Sequence, residues 1–304
     1  MNLGGPVQIA GVTFARPVMN AAYINSKTLE DVEVLAASNS GAVVVGSVTV
    51  RPRQRNAGHG YWRHRERFFS LNSYGMPNGG LPYFRTHLPL MAAAAHAHGK
   101  PLIVNVAGFS PAEFVRLVTA AQQAGADMVE LNLGCPNVWD GGMQKAIVSH
   151  HPALLRDLLR SIRRHVPAVA LAIKLSPVLP DMLREVAGVI TEAGNVQVVV
   201  ATNSYPNALV TAGARYGDEA VLAGLTGRAL KPISLGVVKQ LRDLLPAHVD
   251  IIGCGGIGSA TDVCDYLGAG AKAVQVATAL VEEGPTFFDK LLHQSKNHIV
   301  STGL

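Results

Sequence analysis

Along most of the chain, short bursts of apolar residues alternate with longer stretches in which apolar positions recur every three or four residues. The bursts, rich in Val, Ile, Leu and Ala, read as strands buried on both faces, and the longer stretches read as helices with one covered face. The strands expected on this basis are 18–21, 42–45, 102–106, 128–133, 168–174, 196–201, 250–253 and 273–276. Helical spacing follows each of them, at 29–38, 83–98, 111–124, 152–165, 180–193, 232–245, 260–268 and 285–294. Pro111, Pro152, Pro180 and Pro232 each open one of these helices, where the missing N–H costs little because that donor has no intrahelical acceptor.

Strand and helix in strict alternation build parallel βα units, and eight such units predict an α/β fold, a (β/α)8 TIM barrel. The 304 residues suit one barrel, so 1–304 is expected to be a single domain. Insertions at 49–82, 135–151 and 203–231 all follow strands. Loops after strands form the catalytic face of such barrels, which makes these insertions candidate substrate lids.

Composition adds exclusions. Mean hydropathy is positive, yet no apolar run approaches the roughly 18 to 20 residues of a bilayer-spanning helix. Met1-Asn2-Leu3-Gly4-Gly5-Pro6 lacks the basic start and apolar stretch of a signal peptide, so a cytoplasmic protein without a membrane partner is expected. Cys135, Cys254 and Cys264 form no CxxC pair, which speaks against a metal or iron–sulfur site and against a structural disulfide in a reducing compartment. The net charge of +5 suits an anionic ligand, nucleic acid or a basic surface. Its densest part runs through Arg51, Arg53, Arg55, Arg63, Arg65 and Arg67, interleaved with Tyr61, Trp62, Phe68 and Phe69. That interleaving reads as a solvated loop over the barrel mouth, as a source of an arginine for an acidic substrate, or as a nucleic-acid surface; nucleic acid is not the expected partner.

Three strand ends carry candidate chemistry. In Glu130-Leu131-Asn132-Leu133-Gly134-Cys135-Pro136-Asn137, two amides flank a thiol. A thiolate there can deprotonate a carbon acid while the amides pair with a planar amide or imide ring; the segment also reads as a buried cysteine before a proline turn. Lys174 ends the apolar run Ala172-Ile173-Lys174, where an amine is expensive to bury unless it meets an anion or snorkels out of the rim. Gly253-Cys254-Gly255-Gly256 and Val276-Ala277-Thr278 close the last two strands, and Gly224-Leu225-Thr226-Gly227 adds small residues; backbone N–H groups there can approach a phosphate, or the glycines mark tight turns.

With these residues in view, Leu131-Asn132-Leu133-Gly134-Cys135-Pro136-Asn137 resembles the active-site motif of class 1 dihydroorotate dehydrogenases. Asn72-Ser73-Tyr74-Gly75-Met76-Pro77-Asn78 resembles the substrate loop of the class 1A, fumarate-linked enzymes. Pro17 to Ala22, Ile173-Lys174-Leu175, Ala201-Thr202-Asn203-Ser204, Gly224 to Pro232 and Ile252 to Ile257 extend the similarity over nearly the whole chain. The resemblance implies FMN held by Ala21, Ala22, Gly46, Ser47, Asn105, Asn132 and Lys174, together with Thr202, Gly224, Thr226, Gly227, Cys254, Gly255, Gly256, Ala277 and Thr278. It implies substrate contacts from Asn72, Tyr74, Gly75, Met76, Asn132, Asn137, Asn203 and Ser204. Cys135 would be the catalytic base that removes a proton from dihydroorotate while hydride passes to the flavin. Fumarate or another electron acceptor, and a homodimer, follow from the same likeness. A class 1B enzyme would add an electron-transfer partner subunit.

The likeness breaks at the second strand. The family ends it with a lysine in a pattern like Thr-Lys-Ser; this chain has Val45-Gly46-Ser47, so about 1.5–3 kcal/mol of charge-assisted hydrogen bonding is not supplied from position 46. Tyr23 and Ala22 also depart from the family's usual small residue and serine. Two readings follow: a dihydroorotate dehydrogenase in which an arginine of 51–67 stands in, or a paralogue with the same Cys135 chemistry on another cyclic or unsaturated substrate. On the first, a lysine restored at 46 should strengthen orotate binding. A third reading, a tRNA dihydrouridine synthase-like enzyme, shares an Asn-x-Gly-Cys-Pro motif.

Overall fold

The computed structural model describes residues 3–57, 60–64, 66, 68–140, 143–166, 168–209 and 222–302. Eight parallel strands form one sheet: β1 (Val18–Asn20), β2 (Val43–Val48), β3 (Leu102–Val106), β4 (Met128–Asn132), β5 (Leu171–Leu175), β6 (Val198–Ala201), β7 (Asp250–Cys254) and β8 (Ala273–Val276). Their order is β1-β8-β7-β6-β5-β4-β3-β2. The helices are α1 (Leu29–Ala37), α2 (Gly80–Ala97), α3 (Pro111–Gln123), α4 (Pro152–His165), α5 (Pro180–Ala193), α6 (Lys231–Leu244), α7 (Ala260–Gly268), a short α8 (Thr278–Glu283) and α9 (Phe287–Thr302). This is the TIM-barrel architecture expected from the alternation, with boundaries shifted by a few residues. The largest shift is at α9, which runs on to Thr302 rather than 294, while α2 starts at Gly80, β2 ends at Val48 and β5 starts at Leu171 rather than 83, 45 and 168.

Between β1 and β2 the barrel is closed by one side chain. Asn20 Nδ2 donates to Val44 O (2.6 Å) and Asn20 Oδ1 accepts the Val44 N–H (3.0 Å), so a fully buried amide stands in for a missing ladder step. Two backbone bonds, Gly41 N–H to Val18 O (2.7 Å) and Ala15 N–H to Gly41 O (3.0 Å), join it.

Helix starts follow their caps. Thr28 and Asp31 form a capping box on α1, and Ser110 and Ser259 cap α3 and α7. Gly194, left-handed at φ 66°, ends α5. The helices cover the outside of the sheet in one large apolar cluster that includes Phe84, Leu117, Leu158, Val186 and Leu241.

Inside the barrel, strand alternation sorts residues by height. Val44, Ile103, Met128, Ala172, Val198 and Ala273 form the lower interior. Ile9 and Phe14, from an antiparallel hairpin of Val7–Ile9 and Val12–Phe14, plug that end, where Ala10 N–H donates to Asp250 Oδ2 (2.8 Å). Two residues further along the same strands, on the same face, stand Asn105, Glu130, Lys174 and Gln275. The polar layer therefore lies toward the C-terminal rim.

The insertions are more ordered than their composition suggests. Four short antiparallel strands, in the order Tyr205–Ala208, Ala223–Thr226, Ser70–Asn72 and Tyr61–Arg63, join the loops after β2 and β6 into a sheet over the rim. Each has only three or four residues, and Gly224 pairs with Asn72, far away in sequence, so no local periodicity announced them. Among the described arginines of this region, Arg53 lies 5.2 Å over Phe109, Arg55 lies 5.5 Å over Tyr74, and Arg63 reaches Glu282 at 3.9 Å. These cations face the protein's own groups; Arg65 and Arg67 lie outside the described residues. No helix among the described residues is long and apolar enough to cross a membrane.

The seam gives a direct stability test. Asn20→Ala strands the buried Val44 N–H and C=O, and unfolding by denaturant should show a loss of about 3 kcal/mol, from roughly 1–3 kcal/mol per unsatisfied group. An unchanged stability would contradict the closing role of Asn20.

Candidate active site

A cleft of about 840 Å³, counted with its open mouth, sits on the C-terminal rim. Its floor is the end of β5 to β8, with Lys174, Thr202, Cys254, Gly255, Gly256 and Gln275. Ala21, Ala22 and Tyr23 form one wall after β1, Ala277 and Thr278 another after β8, and Asn203, Ser204, Thr226 and Gly227 a third. Tyr61, Asn72 and Tyr74 descend from the antiparallel sheet as a roof. Burial raises the Tyr23 hydroxyl, with a smaller push from Asp31, to a pKa of about 12, so it faces the cleft as a neutral phenol.

The floor is wired to the barrel interior. Lys174 Nζ donates to Gln275 Oε1 (2.8 Å), Gln275 Nε2 donates to Glu130 Oε2 (2.6 Å), and Asn105 Nδ2 donates to Glu130 Oε1 (2.5 Å). Glu130, Asn105 and Gln275 are fully buried and Lys174 nearly so. The register pairs Asn105 with Glu130 on adjacent strands, whereas Gln275 of β8 reaches Lys174 of β5 and Glu130 of β4 across the barrel.

At the end of β7 the backbone makes a cradle. Gly255 (φ +131°) and Gly256 (φ +67°) occupy conformations that favour glycine. A Cβ at Gly256 would lie 2.7 Å from Lys231 N and 2.8 Å from Gly227 O. The buried Tyr266 hydroxyl donates to Gly255 O (2.7 Å) and holds the turn, and Thr202 and Ser234 hydroxyls bond beneath it at 2.6 Å.

Beside the cleft, four amides converge. Asn137 Nδ2 donates to Asn72 Oδ1 (2.7 Å), Asn203 Nδ2 donates to Asn132 Oδ1 (3.1 Å), and Asn132 Nδ2 donates to Ser47 Oγ (3.0 Å). Each retains unpaired donor or acceptor capacity for a planar ring with its own N–H and C=O groups. Gly224 closes this side through its carbonyl, which accepts from Asn72 Nδ2 (3.4 Å). Gly75 O accepts from Arg53 Nε (3.0 Å).

Cys135 lies across Asn132 from the Lys174 cleft. It lines a second, mostly apolar pocket of about 1190 Å³, counted with its open mouth, with Met76, Phe109, Phe114, Asn132, Val138 and Ile147. Burial pushes its thiol up; the Asn137 N–H and the charges of Arg53 and Lys27 oppose that. Met76, in the left-handed region at φ 57°, has its sulfur 3.7 Å from Asn132 Nδ2.

Of the residues expected at the site, fifteen line the first cleft: Ala21, Ala22, Asn72, Tyr74, Lys174, Thr202, Asn203, Ser204, Thr226, Gly227, Cys254, Gly255, Gly256, Ala277 and Thr278. Met76, Asn132 and Cys135 line the second cavity. Ser47, Asn137, Gly75 and Gly224 touch neither lining and act through the hydrogen bonds given above. Asn105 lies beneath, and its buried Oδ1 has no protein partner. Gly46 corrects one expectation: with φ +128° and an ideal Cβ only 2.4 Å from Asn105 O, position 46 cannot carry a restored lysine without moving the backbone. Glu130 and Gln275 were not singled out from the sequence, although both are polar residues on the inward phase of apolar strands; Lys27, in a loop, had no such signal. Among the described residues, no His, Cys, Asp and Glu cluster could hold a metal ion.

Fold and site define a class: a (β/α)8 barrel with a polar cleft at its C-terminal rim, lined by a glycine turn after β7 and a buried amine on β5. The family profile described as dihydroorotate dehydrogenase matches residues 6–299. The chain is 34% identical over 292 residues to dihydroorotate dehydrogenase (fumarate) of Trypanosoma cruzi, covering 91% of this chain and 88% of that one. It is 33% identical over 284 residues to the dihydroorotate dehydrogenase B (NAD(+)) catalytic subunit of Endomicrobium trichonymphae, covering 91% and 87%. The ligand-free DHODH structure of Eimeria tenella superposes with a TM-score of 0.83 at 22% identity, covering 99% of this chain and 89% of that one, a likeness of fold. The chain belongs to the dihydroorotate dehydrogenase family, FMN-dependent oxidoreductases acting on a CH–CH bond. At the level of family this separates it from the RNA-directed alternative.

The residues present fit FMN. Gly255 and Gly256 turn the backbone along the cleft in conformations that favour glycine, Lys174 stands in the cleft, and Asn105 keeps an unpaired buried acceptor. Gly256→Ala, whose Cβ meets Lys231 N and Gly227 O, should shift this turn and purify with a small fraction of the wild-type flavin; an unchanged flavin-to-protein ratio in the purified variant would show that the turn does not hold the cofactor.

Proposed function

We propose that this enzyme removes two hydrogens from the CH–CH bond of a small cyclic imide, with dihydroorotate as the first substrate and fumarate as the electron acceptor. The observation that carries this reading is the convergence of Asn72, Asn132, Asn137 and Asn203, whose paired donors and acceptors match a ring of alternating N–H and C=O groups. The names of relatives at about 30% identity, fumarate-linked and NAD-linked, support the substrate and leave fumarate as our choice of acceptor.

Bound FMN supplies the two-electron acceptor for hydride. The chain supplies the rest. Asn72 and Asn137, held to each other, and Asn132 and Asn203, likewise paired, orient the ring in its plane. Cys135 Sγ takes the proton from the carbon beside the ring carbonyl, and it must be a thiolate to do so. Because burial pushes this thiol up, the thiolate fraction grows as pH rises from neutral into the alkaline range. Tyr23, Tyr61 and Tyr74 line the cleft and narrow it with aromatic surface.

A second reading, the same chemistry on another cyclic or unsaturated compound, is favoured by Tyr23 on the cleft wall and by the absence of a side chain at 46. Anaerobic mixing of the purified flavoprotein with L-dihydroorotate separates the two. The first reading predicts rapid bleaching of the visible flavin band, faster with rising pH, and slower by about 10²–10⁴ in Cys135→Ala, which keeps its flavin. A band that stays oxidised would move the substrate to the second reading. Equal rates in Cys135→Ala would remove the thiol from both.

A further inference from the structure

The amide cluster faces two spaces. Asn72 and Asn203 line the cleft above Lys174, while Asn132, with Met76 and Cys135, lines the second pocket, which lies between the loops after β3 and β4 and the helices α3 and α4. Whatever ring Asn132 holds therefore has that pocket beside it.

The inner end of the pocket is apolar and fixed. Met76, Ala107 and Val138 form a small buried cluster, and Cys135 packs against it. Met76 is held in place through its neighbours: Lys27 Nζ donates to Pro77 O (2.8 Å), Arg53 Nε donates to Gly75 O (3.0 Å), and the Arg53 and Asn78 backbones exchange bonds of 2.9 and 3.1 Å. Buried Phe114 and Ile147 continue the apolar wall, and Phe109 and Leu154, 40% and 48% exposed, form its outer end. The thiol thus stands at the buried end of an apolar passage that opens to water at the other.

Charge gathers at the outer end. Phe109 and Lys145 are shared with an adjoining depression that Arg51, Arg53 and Glu113 also line. Lys145 Nζ lies 5.0 Å and the Arg53 guanidinium 5.2 Å from the centre of the Phe109 ring. Glu113 accepts the Phe109 N–H (2.8 Å), and Asp157 adds a carboxylate from α4. Three cations against two carboxylates leave the region positive. An apolar lining with a few placed polar groups suits the body of a small molecule, and a large apolar concavity open to water marks a binding site.

We propose that this pocket takes an apolar arm carried by the substrate's ring, a short alkyl or aryl chain that ends in a carboxylate. The ring stays among the amides with its reacting carbon at Cys135, the arm runs along Met76, Val138, Phe114 and Phe109, and the carboxylate meets Arg51, Arg53 and Lys145. This deepens the reading given above and rests on it for the place of the ring. Dihydroorotate, whose ring bears a carboxylate and no such arm, leaves the pocket unfilled.

The test is calorimetric titration of the flavin-loaded enzyme with uracils that carry a methyl, butyl or hexyl group on ring carbon 5 or 6. In at least one series the dissociation constant should fall about two- to fourfold for each methylene added. Leu154→Glu, which puts a charge on the outer apolar wall, should flatten that slope. Exchanging hexyl for 5-carboxypentyl should tighten binding at low salt, and Lys145→Met should cancel the gain. Affinity independent of chain length in both series would overturn the proposal, and a carboxypentyl compound bound about tenfold more weakly than the hexyl one would overturn its anionic end. A second readout needs no recognition of the uracil ring: the rate of Cys135 labelling by N-hexylmaleimide relative to N-ethylmaleimide, read on the Cys135 peptide and divided by the same ratio for glutathione. A ratio well above one where no uracil binds would uphold the pocket and count against the imide reading alone, whereas a ratio of one where no uracil binds would overturn the pocket as well.

Discussion

The site depends on one buried line of hydrogen bonds, from Asn105 through Glu130 and Gln275 to Lys174. An acidic and a basic residue inside a barrel are costly unless each is hydrogen-bonded, and breaking one partner leaves the other stranded. Here Gln275 satisfies both, accepting from the amine and donating to the carboxyl. The line can exist only in the upper half of the barrel, because Ile9 and Phe14 close the lower half with apolar side chains. One end of the barrel is sealed and dry, the other polar and open, and the amine of Lys174 is fixed at the floor of the open end.

Everything at the rim is arranged around that floor. The glycine cradle after β7 lies to one side, held by Tyr266, and the amide cluster lies to the other, joined to β4 through Asn132. Between the strand ends and solvent stands the small antiparallel sheet, which carries Asn72 and Tyr61 over the cleft. The loop carrying Cys135 turns toward the neighbouring apolar cavity, so Asn132 is the shared wall between the amine side and the thiol side.

Much of this was legible from the residues alone, for physical reasons. Parallel strands buried on both faces leave apolar bursts of fixed length, and polar residues breaking that pattern on the inward phase, such as Lys174, mark the site. Small residues at β7 and β8 mark the cradle. The antiparallel sheet was not legible, because its strands are three or four residues long and its central pairing, Ser70–Asn72 with Ala223–Thr226, spans more than a hundred residues of chain. The effect of glycine at 46 was read only halfway. Its missing charge was plain, but the closure of the backbone over it, and the approach of Lys27 from another loop, are tertiary facts without periodicity.

The claim that Lys174, wired to Glu130, is what holds the cofactor's polar edge is tested most directly by titrating FMN into apoprotein of the wild type and of Lys174→Met. Loss of a charge-assisted hydrogen bond, about 1.5–3 kcal/mol, should raise the dissociation constant by roughly 10- to 150-fold. Equal affinity in a folded Lys174→Met protein would contradict the account, because the buried line would then serve the barrel and not the cofactor.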